Sequence, residues 1–84
     1  MTFEKINEAI EVITHFDEKG IHLLRFRWRD EVFKIHTIAH RWEDEQDHIK
    51  IVHFAVRDKN EDMFDITFDS KTFIWTLVTA QRHE

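Results

Sequence analysis

Hydrophobic and polar residues alternate along much of this chain, which is the period-two pattern of strands that bury one face. Clusters rich in Asp, Asn, Ser and Lys interrupt the alternation, and such side chains close turns by hydrogen bonding to the nearby backbone. The pattern predicts six antiparallel strands, near residues 9–17, 21–29, 32–42, 47–58, 62–69 and 72–81. The inward parity of the first strand comprises Ile10, Val12, Thr14 and Phe16. One buried face elsewhere is predicted to comprise Leu24, Phe26, Trp28, Ile66 and Phe68.

Two of the six segments change phase partway along. Phe33 and Ile35 share a parity that Ile38 does not, and the apolar parity of the next segment switches between Ile51 and Val52. Such slips are typical of β-bulges, which bend a sheet towards closure. The two slips therefore favour a sheet that curls.

The predicted fold is all-β: one domain over residues 1–84, with about six antiparallel strands in a strongly curved sheet or small barrel. Closure is favoured because it removes exposed strand edges. Two alternatives are open for residues 1–8. The near-helical spacing of Phe3, Ile6 and Ile10 fits one short helical turn, and an extended lead-in fits equally well. The last strand is apolar on both parities. Because a chain this short cannot easily bury both faces of a strand, Ile74 and Val78 are expected to form an exposed apolar patch that favours a partner or a second copy.

Composition supports the β assignment and narrows the chemistry. Ile, Val, Thr, Phe and Trp supply 33 of the 84 residues, whereas Leu and Ala supply only 7, and branched or aromatic side chains pack well on a pleated surface. The absence of Cys excludes disulfides, a thiol nucleophile and a Cys-based zinc site.

There is neither an apolar run of membrane-spanning length nor a secretion-signal profile at the N-terminus. We therefore expect a cytoplasmic protein with no membrane partner.

Arginines alternate with aromatic residues in the second predicted strand, which places the arginines on the solvent face. Residues 21–42 carry five basic and two acidic side chains, although the chain as a whole has a net charge of −5. A local basic face can follow a phosphate backbone, and an exposed Trp can stack on bases. Alternatively, the arginines form a solvated strand face that pairs across the sheet with Asp65, Thr67 and Asp69 or similar groups. The candidate contacts for nucleic acid or a partner are Arg25, Arg27, Arg29, Arg41 and Trp42.

Three short motifs carry a resemblance to a known family. They are Arg25-Phe26-Arg27-Trp28-Arg29, Arg41-Trp42 and Trp75-Thr76-Leu77. With them, the chain resembles a family of short bacterial proteins of unknown function, over most of residues 6–78. Similar domains are appended to the C-terminus of polymerase-like proteins of the Y family. The resemblance implies a nucleic-acid or DNA-repair context and no enzymatic activity. The Gly-poor turns, the many His and the acidic net charge depart from the family pattern.

The seven His residues raise the question of a metal site. On a strand, His36 and His40 stand about 13 Å apart and cannot share an ion, so a pair would need His48 or His53 on the next strand. No third ligand follows at a recognisable spacing, so we expect no metal and no cofactor. The acidic run 43–47 is predicted to be a solvated loop and lacks calcium-loop spacing. The single Ser lies in a turn cluster, where a nucleophile is not expected.

Three functional hypotheses follow. The first is a non-catalytic protein-interaction or self-association module. The second is a nucleic-acid-binding accessory domain in a DNA-repair context, acting through the Arg-rich strand. The third, an enzyme acting on a small molecule or through a metal, lacks any candidate catalytic residues. We therefore expect a protein partner or self-association, with nucleic acid as the alternative.

Overall fold

A computed structural model describes residues 2–83 as one antiparallel sheet of seven strands, and no helix occurs in that range. The strands are β1 (Thr2–Asp17), β2 (Gly20–Trp28), β3 (Glu31–Lys34), β4 (Thr37–Gln46), β5 (Ile49–Arg57), β6 (Met63–Asp69) and β7 (Trp75–Arg82). Their order across the sheet is β3-β2-β1-β7-β6-β5-β4. The predicted all-β fold with a strongly curved antiparallel sheet is confirmed. The sheet curls but does not close, and it has seven strands where about six were expected.

The additional strand arises where the chain crosses between the two ends of the sheet. The predicted strand 32–42 is divided at Ile35 and His36. The amide of Ile35 donates to the carbonyl of Leu24 in β2 at 3.0 Å, and the amide of His36 donates to the carbonyl of Arg57 in β5 at 2.8 Å. Two consecutive residues thus bridge strands from opposite halves of the sheet, which keeps the sheet curled around its core.

A β-bulge at Leu24 overturns part of the predicted core. Leu23 lies opposite Thr14 and Arg25 lies opposite Ile13, so Leu24 is an extra residue in β2. The extra residue shifts the parity of the strand. Leu23 is consequently 6% exposed and Leu24 46% exposed, so the prediction of Leu24 as a core residue is wrong.

The other predicted core residues behave as expected, with one exception at a strand end. Phe26, Trp28 and Ile66 are buried, and Phe68 is partly buried against them. On β1, Phe16 is exposed although the preceding residues of its parity are half-buried. It lies beside the β1–β2 turn, beyond the part of the strand that covers the core.

Further register shifts lie at residues 6–7 of β1, at Ala39 of β4 and at Val78 of β7. For residues 2–8 the extended alternative for the lead-in is the observed one, since β1 begins at Thr2 and pairs with β7, whereas Met1 lies outside the described residues. The slip predicted between Ile51 and Val52 is wrong. β5 pairs with β6 in unbroken register over that stretch, and the two residues simply lie on opposite faces.

The strand with apolar residues on both parities, β7, occupies the centre of the sheet. Its bulge at Val78 lets both Leu77 and Ala80 reach the core. Of the predicted apolar patch, Ile74 is exposed and Val78 is half-buried.

Aspartates close several turns, as the near absence of Gly and Pro predicts. A side-chain oxygen of Asp17, Asp58 or Asp69 accepts backbone amides two to four residues further along the chain. The acidic run 43–47 differs from its prediction as a loop. Residues 43–46 belong to β4, and only Asp47 and His48 form the turn, both with positive φ. Two such residues fit the tight hairpin turns that match the twist of antiparallel strands.

The core lies inside the curl of the sheet and contains no buried polar residue among residues 2–83. Phe26, Phe33 and Phe64 form its aromatic centre, with ring centroids 5.0–5.3 Å apart. The buried apolar residues are Leu23, Phe26, Trp28, Phe33, Val52, Phe54, Ala55, Val56, Phe64, Ile66, Leu77 and Ala80. Packing of these side chains, without disulfides, stabilises the domain.

Candidate interaction surfaces

The outer face of β1, β2 and β3 brings basic and aliphatic side chains together, and we call it the three-strand face. Cross-strand pairing forms two rows, with Arg25 between Ile13 and Lys34, and Arg27 between Glu11 and Val32. Neighbours across a sheet have Cβ atoms about 5 Å apart. The three-strand face consists of Glu11, Ile13, Arg25, Arg27, Val32 and Lys34.

The cations of the three-strand face make no ion pair with any residue in the range 2–83. Glu11 is the one acidic member, so three basic side chains outnumber it. Ile13 and Val32 are 52% and 55% exposed, and a hollow of about 190 Å³ lies between the rows. The expected pairing of the arginines with Asp65 and Asp69 does not occur, because β2 neighbours β1 and β3 and not β6.

The sequence pattern predicts that Arg25, Arg27 and Arg29 form one row on the solvent face of β2, which we call the arginine stripe, but Arg29 forms a separate contact. The β2–β3 turn places it at a φ of 52°, and its Nη2 lies 2.6 Å from Oε2 of Glu8. This guanidinium lowers the pKa of the Glu8 carboxyl, and the hydrogen bond from Trp28 lowers it further. The same contact raises the pKa of Arg29. Arg29 is therefore engaged within the chain, whereas Arg25 and Arg27 form no ion pair with the residues that the structure describes.

The Glu8–Arg29 pair belongs to a polar cap over Trp28. The indole Nε1 of Trp28 donates to Oε1 of Glu8 at 3.0 Å. The guanidinium carbons of Arg29 and Arg82 lie 4.6 and 4.8 Å from the indole centroid, within cation–π range. Sequence reasoning did not identify Glu8 or Arg82. A signal was present, because Glu8 shares the inward parity of Ile10, where a charged side chain needs a partner.

Arg41 and Trp42 lie on β4, at the other end of the strand order from β3. Arg41 Nη2 donates to Oε2 of Glu43 at 3.1 Å, and its guanidinium lies over the ring of Phe54. The structure therefore does not unite the five predicted contact residues on one surface. Arg25 and Arg27 share the three-strand face, Arg29 caps Trp28, and the remaining two occupy β4.

Trp42 stacks on two imidazoles on the outer face of β4 and β5. Its ring centroid is 5.0 Å from that of His40 and 4.8 Å from that of His53. Nε2 of His53 lies 2.9 Å from Oδ2 of Asp44. Trp42 is 39% exposed, but neighbouring side chains already cover part of its ring.

The cross-strand pairing that a two-His metal site would require is not the one observed in β4 and β5. His40 lies opposite Ala55, and His53 lies opposite Trp42. Within residues 2–83, no three His, Asp or Glu side chains lie close enough together to hold a metal ion.

The remaining pKa shifts belong to turns. The pKa of Asp17 is lowered by its hydrogen bond with His22 and by the amide of Lys19. The pKa of Asp69 is lowered by the amides of Thr72 and Lys71. Both carboxylates therefore act as turn-closing groups.

No family model, curated protein or solved structure matches this chain. The resemblance to the family of short bacterial proteins therefore stays a prediction. In the described range 2–83 there is no helix with the length and apolar character needed to cross a membrane.

Proposed function

We propose that this chain is a non-catalytic protein-interaction module that binds an acidic segment of a partner through the three-strand face. The observation that carries this proposal is that Arg25, Arg27 and Lys34 form no ion pair within residues 2–83 and lie beside exposed Ile13 and Val32. Cations between aliphatic side chains suit a polypeptide that offers carboxylates and apolar side chains together. A cytoplasmic location belongs to the same proposal.

Nucleic acid is the second candidate, because the same three cations can contact phosphates. Nonspecific binding of single strands also uses aromatic side chains beside the basic groove. Here the three-strand face contributes Ile13 and Val32 instead, while Trp42 lies on β4. Aliphatic side chains do not stack on bases as aromatic rings do, so this composition favours a protein partner.

A fluorescence titration with two probes tests the proposal. One probe is a short synthetic peptide of Glu and Leu, and the other is single-stranded oligothymidine. We expect the peptide to bind, and the double variant Arg25→Gln/Arg27→Gln to weaken that binding by about tenfold, equivalent to about 1.4 kcal/mol. Arg57→Gln/Lys71→Gln is the matched control, since it removes two exposed positive charges from outside the face.

The aliphatic residues separate the two candidates. Ile13→Ser/Val32→Ser should weaken binding of the peptide, whereas phosphate contacts do not depend on these side chains. If oligothymidine binds instead, with a slope of log affinity against log salt of about −2 to −3, nucleic acid is the partner class. Failure of both probes to bind, or equal effects of the Arg25/Arg27 variant and its control, would contradict the assignment of this face.

A further inference from the structure

The β4 strand offers an open edge at one end of the sheet. It pairs with β5, and no strand pairs with its other edge in the described part of the chain. All ten of its residues are exposed. Beyond the bulge at Ala39, its register with β5 is unbroken from His40 to Gln46. A free edge of this length presents backbone amides and carbonyls that can pair with another strand.

The side chains along this edge change from basic to acidic at Trp42. His40 and Arg41 precede it, and Glu43 and Asp44 follow it. We propose that two copies of this chain pair through antiparallel β4 edges, with Trp42 next to the two-fold axis. In that register Arg41 lies opposite Glu43 of the second copy, and His40 lies opposite Asp44 of the second copy. The self-association surface is separate from the three-strand face and does not depend on its proposed function.

Symmetry restricts the registers that such a dimer can adopt. A two-fold axis normal to the sheet reverses the strand direction and keeps each face of the sheet on the same side. Opposed residues must then have the same parity, so the axis passes beside one residue and its own copy. With the axis at Arg41, two arginines oppose each other, and with the axis at Glu43, two carboxylates do. Like charges in direct opposition destabilise a pair of strands. Among these three registers, the one centred on Trp42 is the one in which no like charges of β4 oppose each other, and it places Arg41 opposite Glu43 on both sides of the axis.

Both faces of the strand contribute to this complementarity. Arg41 lies over buried Phe54 and therefore belongs to the inner face with Glu43. Trp42 and its stacking partner His40 belong to the outer face with Asp44. Contacts within each chain also hold the acidic groups in place. Glu43 lies 3.1 Å from Nη2 of Arg41 and 3.4 Å from Nζ of Lys50, and Asp44 lies 2.9 Å from Nε2 of His53. The carboxylates are thus already positioned at the edge before a second copy arrives.

Disulfide trapping tests the register directly, because the natural chain contains no Cys. Residues opposed in an antiparallel pair have Cα atoms about 4.5–5.5 Å apart, within the range that a disulfide spans. We expect Trp42→Cys to cross-link with itself under mild oxidation. His40→Cys and Asp44→Cys should each fail alone and cross-link when mixed. His48→Cys is the control for random collision, since its exposed turn positions lie about 40 Å apart in the dimer.

Charge reversal provides the second arm and leaves the backbone edge unchanged. In sedimentation runs, the wild-type chain should shift with concentration from its 10.4 kDa mass to twice that mass. Arg41→Glu should weaken the dimer by about tenfold or more, because it places carboxylates opposite each other on both sides of the axis. Arg41→Glu/Glu43→Arg restores opposite charges in the same register and should return the affinity to within about threefold of wild type.

Circular dichroism of each variant is the control for whether it remains folded. A chain that stays monomeric up to about millimolar concentration would overturn the proposal. A dimer that cross-links equally well through His48→Cys, or one that the double reversal does not restore, would also overturn it. The tests leave Arg25 and Arg27 untouched, so this proposal and the proposed function can fail independently.

Discussion

Truncation of Trp28 to Ala tests how much of the fold depends on one capped aromatic residue. Trp28 is 4% exposed, its Nε1 bonds to Glu8, and two guanidinium groups flank its ring. The change leaves a cavity and removes the surface against which Arg29 and Arg82 pack. Loss of a buried Trp costs about 3–5 kcal/mol. A chain of 84 residues has a free energy of unfolding of about 4–13 kcal/mol. The variant should therefore lose a large part of its stability.

Calorimetry or far-UV circular dichroism at low protein concentration measures this loss. At about 4–8 °C per kcal/mol for a domain of this size, Trp28→Ala should lower the Tm by at least about 12 °C. Trp42→Ala is the matched control, since it also removes an indole but from a ring that is 39% exposed. Its cost should be about 1 kcal/mol, from the lost stacking. If the two variants melt within a few degrees of each other, the reasoning that places Trp28 in the core is refuted.

The remaining predictions concern the bulge, the cap and the stripe. Leu23→Ala should cost about 2–5 kcal/mol and Leu24→Ala less than about 1 kcal/mol in urea unfolding; the reverse order would contradict the bulge. The lowered pKa of Glu8 means that its carboxylate stabilises the fold above its ordinary pKa of 4.5 and that this contribution is lost as pH falls through the lower folded value. The difference in unfolding free energy between wild type and Glu8→Gln should accordingly shrink from neutral to strongly acidic pH, and a constant difference would argue against the ion pair. Arg25→Gln/Arg27→Gln should unfold within about 0.5 kcal/mol of wild type, and a larger loss would show that the stripe stabilises the fold.

The fold class could be predicted because it depends on features that repeat along the whole chain. Alternation places Phe26 and Ile66 on inward parities, and the turn clusters coincide with the observed turns after β1, β2, β5 and β6. The acidic run was more difficult to assign. Glu43 to Gln46 consist of polar residues that suit a loop, yet they form a strand because an edge strand can expose its side chains. Only the two residues that follow them adopt the positive φ values of the turn.

The register shifts could not be derived from alternation alone. A bulge inserts one residue, and the sequence shows only that parity changes somewhere nearby. Leu23 and Leu24 illustrate the problem, since adjacent leucines fit either parity and the choice depends on their pairing with β1. Ile51 and Val52 show the converse. A change of apolar parity there indicates a strand with apolar residues on both faces, which gives the same pattern as a bulge.

The candidate site was difficult to predict because charged side chains are assigned to surfaces by their neighbours in space. Arg25, Arg27 and Arg29 have the same spacing, and extended geometry would place all three on one face. At Arg29 the strand has already turned, and the positive φ of this residue directs it towards Glu8, 21 positions away along the chain. Alternation identifies the two arginines within the strand, whereas the third depends on the pairing of β1 with β2. The β1–β2 pairing also places Ile13 beside Arg25, and the β2–β3 pairing places Val32 beside Arg27. Our proposal of a polypeptide partner over a phosphate backbone rests on this combination of aliphatic and basic side chains, which the spacing of the arginines alone does not reveal.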